Sequence, residues 1–128
     1  KKHNCKMSCT DGYFGHGMYN PESKYIMYNK QKYFGIIRNI YNRNGKLHLM
    51  ENGYPELWTK EFLNVHNCCI ASSVMIERSI NDKIGDFSNQ LWAPDYEYWK
   101  RVIEHTDCVY IDEPLLYYDG GHGGGQQY

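Results

Sequence analysis

WAPDYEYWKRVIEHTDCVYIDEPLLYY, from Trp92 to Tyr118, places the clearest helix of the chain directly before a β-strand. Tyr96, Trp99, Val102 and Ile103 recur at helical spacing and form one apolar stripe, with Lys100, Arg101 and Glu104 on the other side. Pro94 suits the first helical turn, where its missing N–H costs nothing, and Asp95 complements the positive end of the helix dipole. Cys108 to Ile111 reads as a strand. Pro114 interrupts it, and Leu115 to Tyr118 is read as its continuation.

Working outward, Cys68 to Ile76 is small and apolar and ends in Val74-Met75-Ile76. That continuous pattern predicts a strand buried on both faces, central in a sheet shared with Cys108 to Ile111. Ser79 to Lys83 follows as a short helix closed by Gly85. Towards the N-terminus, Lys6 to Thr10 is a short strand ending at an Asp11-Gly12 turn, and Gly12 to Pro21 reads as a loop. Tyr33, Phe34, Ile37, Ile40 and Tyr41 predict a helix from about Lys30 to Asn42. Asn44-Gly45 stops it or turns a hairpin, with Leu47 and Leu49 alternating beyond. Leu57, Trp58, Phe62 and Leu63 fit a short amphipathic turn of helix. Strands and helices in this order predict an α/β or α+β domain with a mixed sheet and flanking helices over residues 1–128.

Composition narrows the function classes. Of 128 residues, 41% are hydrophobic and 23% charged, which predicts a soluble globular domain rather than a disordered chain. A net charge of -1 implies no broad attraction to nucleic acid. No apolar run approaches the ~20 residues of a membrane span. The chain opens on Lys1-Lys2-His3 with no apolar stretch behind it, which predicts no signal peptide, and the missing initiator Met predicts an excised piece. The 13 Tyr, with three Trp and four Phe, suit a sugar-binding surface, although an aromatic-rich core accounts for most of them. Five Cys is an odd count and Cys68-Cys69 are adjacent, so free thiols in a cytoplasmic protein are expected. A zinc site from Cys5, Cys9, His3 and His16 is the sharper alternative, but C-x3-C without a second pair matches structural zinc patterns poorly.

Two places depart from what a stable fold requires. Asp95 is one, although an ordinary helix-start carboxylate, worth about 0.3–1 kcal/mol, is the plainer explanation of it. His122 is the other, a lone imidazole inside Gly120-Gly-His-Gly-Gly-Gly125, where the absence of side chains leaves the backbone free to close over a ligand.

Five elements then stand in a recognisable order: Ser72-Ser-Val-Met-Ile76, a short helix ending at Ile84-Gly-Asp-Phe87, Pro94-Asp-Tyr-Glu-Tyr-Trp99, Val109-Tyr-Ile-Asp-Glu-Pro-Leu-Leu-Tyr-Tyr118 and His122-Gly-Gly. Their order and spacing resemble the acceptor-side, C-terminal half of family 2 glycosyltransferases of the GT-A type, and the glycine-flanked histidine is similar to such domains of large DNA viruses. The resemblance runs from about Lys6 to the C-terminus and is strongest from Asn67 to His122.

The resemblance implies a partial GT-A (nucleotide-diphospho-sugar transferase) fold lacking its N-terminal nucleotide-binding half. The implied reaction is inverting transfer of a sugar from a nucleoside-diphosphate sugar to an acceptor hydroxyl, with Asp95 as the base. The family more often has Glu-Asp where this chain has Pro94-Asp95, so only the second acid aligns. His122 matches a histidine that reaches a divalent cation, Mn or Mg, at the leaving diphosphate. Trp92 is implied as a sugar-stacking residue, with a core role the alternative, and Asp11 as part of a loop bordering the acceptor. The chain has no Asp-x-Asp motif, so the 128 residues alone are expected to be inactive and the activity to belong to a longer parent. A non-catalytic carbohydrate-binding or interaction module is the alternative, and a small zinc domain a third. A half-fold also predicts an exposed sheet edge or face through which isolated chains self-associate.

Overall fold

The Asp11-Gly12 pair does not end the first strand, because β1 (Met7–Gly15) runs through it. The computed structural model of the protein describes residues 4–85 and 94–120. In it β1 lies parallel to β5 (Cys108–Asp119), starting with Met7 opposite Cys108. The register slips between Thr10 and Asp11 and again between Asp11 and Tyr13, then resumes with Tyr13 opposite Tyr117. A slip of this kind bends the strand and re-aims a side chain. The re-aimed side chain is Asp11, whose Oδ1 accepts the Gly12 N–H at 2.8 Å. Gly12 is required by close approach, since a Cβ there would stand 2.7 Å from Leu116 Cδ1. Pro114 sits opposite Asp11 in the same irregular step. A missing N–H costs little at such a step, so Pro114 does not break β5.

Around this parallel pair the sheet is five-stranded and mixed. β2 (Ile26–Met27) joins β1 antiparallel, β3 (Leu57–Trp58) joins β5 antiparallel, and β4 (Met75–Ile76) lies antiparallel on the start of β1. The expected α/β class with a mixed sheet and flanking helices is therefore what the chain adopts.

The central place predicted for Cys68 to Ile76 is not. That stretch is irregular through the 3-10 turn Ala71–Ser73 and supplies only the two residues of β4. Cys68, Cys69 and Ile70 are buried from a loop. Ser73 explains how a loop lies there: its Oγ accepts the Thr10 N–H at 3.1 Å and donates to the Ile70 carbonyl at 2.7 Å. A side chain thus satisfies the edge of β1 where a strand would have used backbone. A continuous apolar run marks burial, and burial alone does not distinguish a strand from a packed loop.

The helices follow local chemistry more closely. A π-turn, Tyr28–Lys32, leads into α1 (Phe34–Arg43), which ends before Gly45 at φ 71°. Leu47 and Leu49 then lie in a 3-10 turn rather than a hairpin. Leu57 and Trp58 are strand, and α2 (Lys60–Leu63) begins only after Thr59, whose side chain accepts the Phe62 N–H. α3 (Arg78–Ile84) stops at Gly85, φ 84°. α4 (Pro94–Val102) carries the expected stripe, with Trp99, Val102 and Ile103 buried and Tyr98 buried beside them.

Ile37, Tyr41, Phe62, Leu63, Ile80 and Trp99 gather with Met7, Cys9, Cys108 and Tyr110 of the sheet in one core. Trp58 stacks on Tyr110 with centroids 4.6 Å apart, and full burial of a large apolar side chain contributes roughly 1.5–3 kcal/mol. The alternate residues Ser8, Val109 and Ile111 line an open cleft of about 380 Å³ with Met75, which is 73% exposed. Self-association of the isolated chain through this side is expected, and light scattering at rising concentration is expected to report species larger than a monomer. A strictly monomeric solution would contradict this.

Candidate functional site

Among the described residues, aromatic side chains gather at the carboxyl ends of the parallel strands β1 and β5, around the fully buried Tyr28. Phe14 is opposite Tyr118 and their rings stack, centroids 6.0 Å apart at 19°. Tyr28 and Tyr33, from the π-turn, close on the same group, with Tyr28 4.8 Å from Tyr118 and Tyr33 edge-on to Phe14 at 5.8 Å. The Lys32 ammonium lies 5.3 Å from the centre of the Phe14 ring, and His16 meets the same ring edge-on. A second group joins Tyr19, Tyr25 and Tyr117, with Tyr25 and Tyr117 5.1 Å apart. Backbone and side-chain bonds hold this end: Gly120 N donates to Gly15 O, Gly17 N to Asp119 Oδ1, and Tyr117 Oη to Gly17 O. Gly120 is required there, because a Cβ would come 2.7 Å from Phe14 Cζ.

Asp95 opens α4 and is partly buried; its Oδ1 accepts the Tyr96 N–H at 2.7 Å. Burial pushes the Tyr118 phenol upward, and the neighbouring Tyr33 and Asp95 add to that rise. The Asp95 charge therefore acts at the Tyr118 end of β5, the end from which the chain enters its glycine run.

Asp11 is placed differently from the other candidates. It is completely buried, and its carboxylate accepts three backbone N–H groups: Gly12 and Asn29 on Oδ1, both at 2.8 Å, and Lys30 on Oδ2 at 3.0 Å. It caps the π-turn and ties that turn to the bulge of β1. This arrangement organises the aromatic group from beneath rather than presenting a carboxylate to a ligand. Trp92 and His122 lie outside the described residues.

All five cysteines are free thiols, four of them buried. Alkylation after denaturation is expected to label all five, and three or fewer would contradict the reduced state. The zinc arrangement read from Cys5, Cys9 and His16 does not form. Cys9 points into the core from the middle of β1, whereas His16 is exposed beyond the strand's far end, and His3 lies outside the described residues. Among the described residues, no group of three or more His, Cys, Asp or Glu side chains converges to hold a metal ion. No described helix is long and apolar enough to cross a membrane.

Sequence reading missed the aromatic platform. Its members are spread from Phe14 to Tyr118, and only the parallel register of β1 and β5 brings them together. The one available signal was the tyrosine content, which does not distinguish a platform from a core.

Comparison of the chain with protein-family models, with curated proteins and with solved structures gives no match.

Proposed function

We propose that the chain is the acceptor-side half of an inverting GT-A glycosyltransferase, with Asp95 as the base that deprotonates the acceptor hydroxyl. The observation that carries this reading is the place of Asp95 at the start of α4, partly buried, with Oδ1 on the Tyr96 N–H and Oδ2 without a hydrogen-bond partner among the described residues. Crevices outside the carboxyl ends of parallel strands are where open α/β sheets bind ligands. Phe14, Tyr33 and Tyr118, half-buried around the fully buried Tyr28, offer ring surface on which a sugar can stack, with Lys32 adjacent.

In this reading the acceptor hydroxyl lies against Asp95 and attacks the anomeric carbon of the nucleoside-diphosphate sugar as its proton passes to the carboxylate. Trp92, two residues before the helix, is assigned to the sugar. A divalent cation, Mn or Mg, would supply Lewis-acid stabilisation of the leaving diphosphate. The described residues do not provide its ligand set. His122 is this chain's candidate contact to that diphosphate-metal group. Replacing His122 by Ala in the full-length parent is expected to weaken metal-dependent donor binding, seen as a higher manganese requirement. An unchanged dependence of rate on manganese would reject the assignment.

The second reading is a carbohydrate-binding module without transfer activity, favoured by the Tyr19, Tyr25 and Tyr117 group, in which Tyr19 is 51% exposed. Donor turnover by the parent separates the two. Glycan binding with no consumption of any nucleotide sugar would favour the module.

A further inference from the structure

Outside the proposed site, the least expected feature is a group of thiols in the core. Cys9 of β1 and Cys108 of β5 project from the same face of the sheet, diagonal to one another, because Met7 is opposite Cys108 and Cys9 opposite Tyr110. Their Sγ atoms are 3.6 Å apart, and Cys69, from the packed loop, is in hydrogen-bonding contact with both. The adjacent Cys68 is held apart from them by its contact with the Tyr41 hydroxyl at 3.6 Å.

We propose that Cys9 and Cys108 form an oxidisable thiol pair that a small hydroperoxide converts into a disulfide between β1 and β5. The sulfurs must close from 3.6 Å to about 2.05 Å, and because diagonal neighbours start about 7–8 Å apart at Cα, β1 and β5 shift locally as the bond forms. Chemistry favours Cys108 as the first nucleophile. Its contacts with the Cys69 and Cys9 thiols pull its ionisation below the ordinary thiol range, whereas burial pushes Cys9 well above it. The Cys108 thiolate attacks one peroxide oxygen, the O–O bond breaks, and the alcohol or water leaves with the proton given up by Cys108. The sulfenic acid so formed is attacked by Cys9, the S–O bond breaks, and water departs with the Cys9 proton. Two thiols thus lose two electrons and two protons, and the hydroperoxide is reduced. Both thiols are fully buried, so the small hydrogen peroxide molecule reaches them only through local opening of the fold.

The bond would join positions 99 residues apart and tie together the parallel strands β1 and β5. The alternative of a metal held by the same thiols lacks support, since they do not converge as a ligand set.

The test uses the whole chain, treated with dilute hydrogen peroxide, denatured, alkylated and digested with trypsin without reduction. Cleavage at Lys6, Lys24, Arg78 and Arg101 places Cys5, Cys9, the Cys68-Cys69 pair and Cys108 on four separate peptides. The expected product joins Met7–Lys24 to Val102–Tyr128 and disappears on reduction, with two fewer thiols alkylated. Cys108→Ala abolishes it, and because the wild-type map stands alone, the result does not depend on that variant folding. Five alkylated thiols after treatment, oxidation confined to Cys5, or a link through Cys69 instead would each overturn the proposal.

Discussion

Replacing Asp95 by Asn in the full-length parent is expected to lower kcat by about 10²–10⁴-fold while leaving donor affinity nearly unchanged, the usual contribution of a general base. Asn keeps the side-chain oxygen that accepts the Tyr96 N–H at 2.7 Å, so the first turn of α4 retains its local bond. What Asn removes is the charge and the basic second oxygen, which has no hydrogen-bond partner among the described residues. The stability change is therefore limited to the helix-dipole contribution of about 0.3–1 kcal/mol, readable by urea denaturation of the isolated chain. Kinetics and stability separate the two roles of this residue. A large fall in kcat with a small stability change is the base. Near-normal turnover with the same small change is a helix-start carboxylate, and the proposed mechanism would then be wrong.

Asp11 is expected to give the opposite pattern. Asp11→Ala leaves the N–H groups of Gly12, Asn29 and Lys30 without their acceptor inside the fold. A buried donor left unsatisfied costs about 1–3 kcal/mol, and relaxation recovers part of the sum, so a loss of about 3–5 kcal/mol is expected. A stability deficit of that size removes a large part of what a small domain has. Asp11→Asn keeps one oxygen but turns an N–H₂ group towards backbone donors, so it is expected to recover only part of the loss. Urea midpoints for the two variants check the order. Full stability in Asp11→Ala, combined with lost ligand binding, would return Asp11 to the ligand-contacting role that the family resemblance implied for it.

The two residues show why the candidate site was only partly legible beforehand. Asp95 follows from adjacent chemistry: a proline, a carboxylate and a helical stripe lie within one stretch of chain, and the structure keeps all three where local rules put them. Asp11 carried a local signal as well, Asp-Gly, and that signal misled. Asp-Gly favours a turn only when nothing else holds the backbone. Here β5 on one side and Ser73 on the other supply partners through the slip, and the strand continues. Leu57 and Trp58 failed in a related way. Their spacing from Phe62 and Leu63 allowed one amphipathic turn, but pairing with Val109 and Cys108 draws them into the sheet, and the helix starts at the Thr59 cap instead.

The sequence by itself determined the helix of Pro94 to Val102, the strand that follows it, the stops at Gly45 and Gly85, and the mixed α/β class. Each rests on interactions between residues a few positions apart, which periodicity, capping and turn chemistry record. Only the tertiary structure decided that β1 and β5, about a hundred positions apart, are the central parallel pair, and that Cys68 to Ile76 is a packed loop ending in an edge strand. Tertiary contact alone also buried Asp11 beside the π-turn and set Cys9 against Cys108. Pairing between distant strands is selected by the fit of whole faces and by the need to satisfy every buried N–H and C=O, and neither condition is written in any local window of the chain.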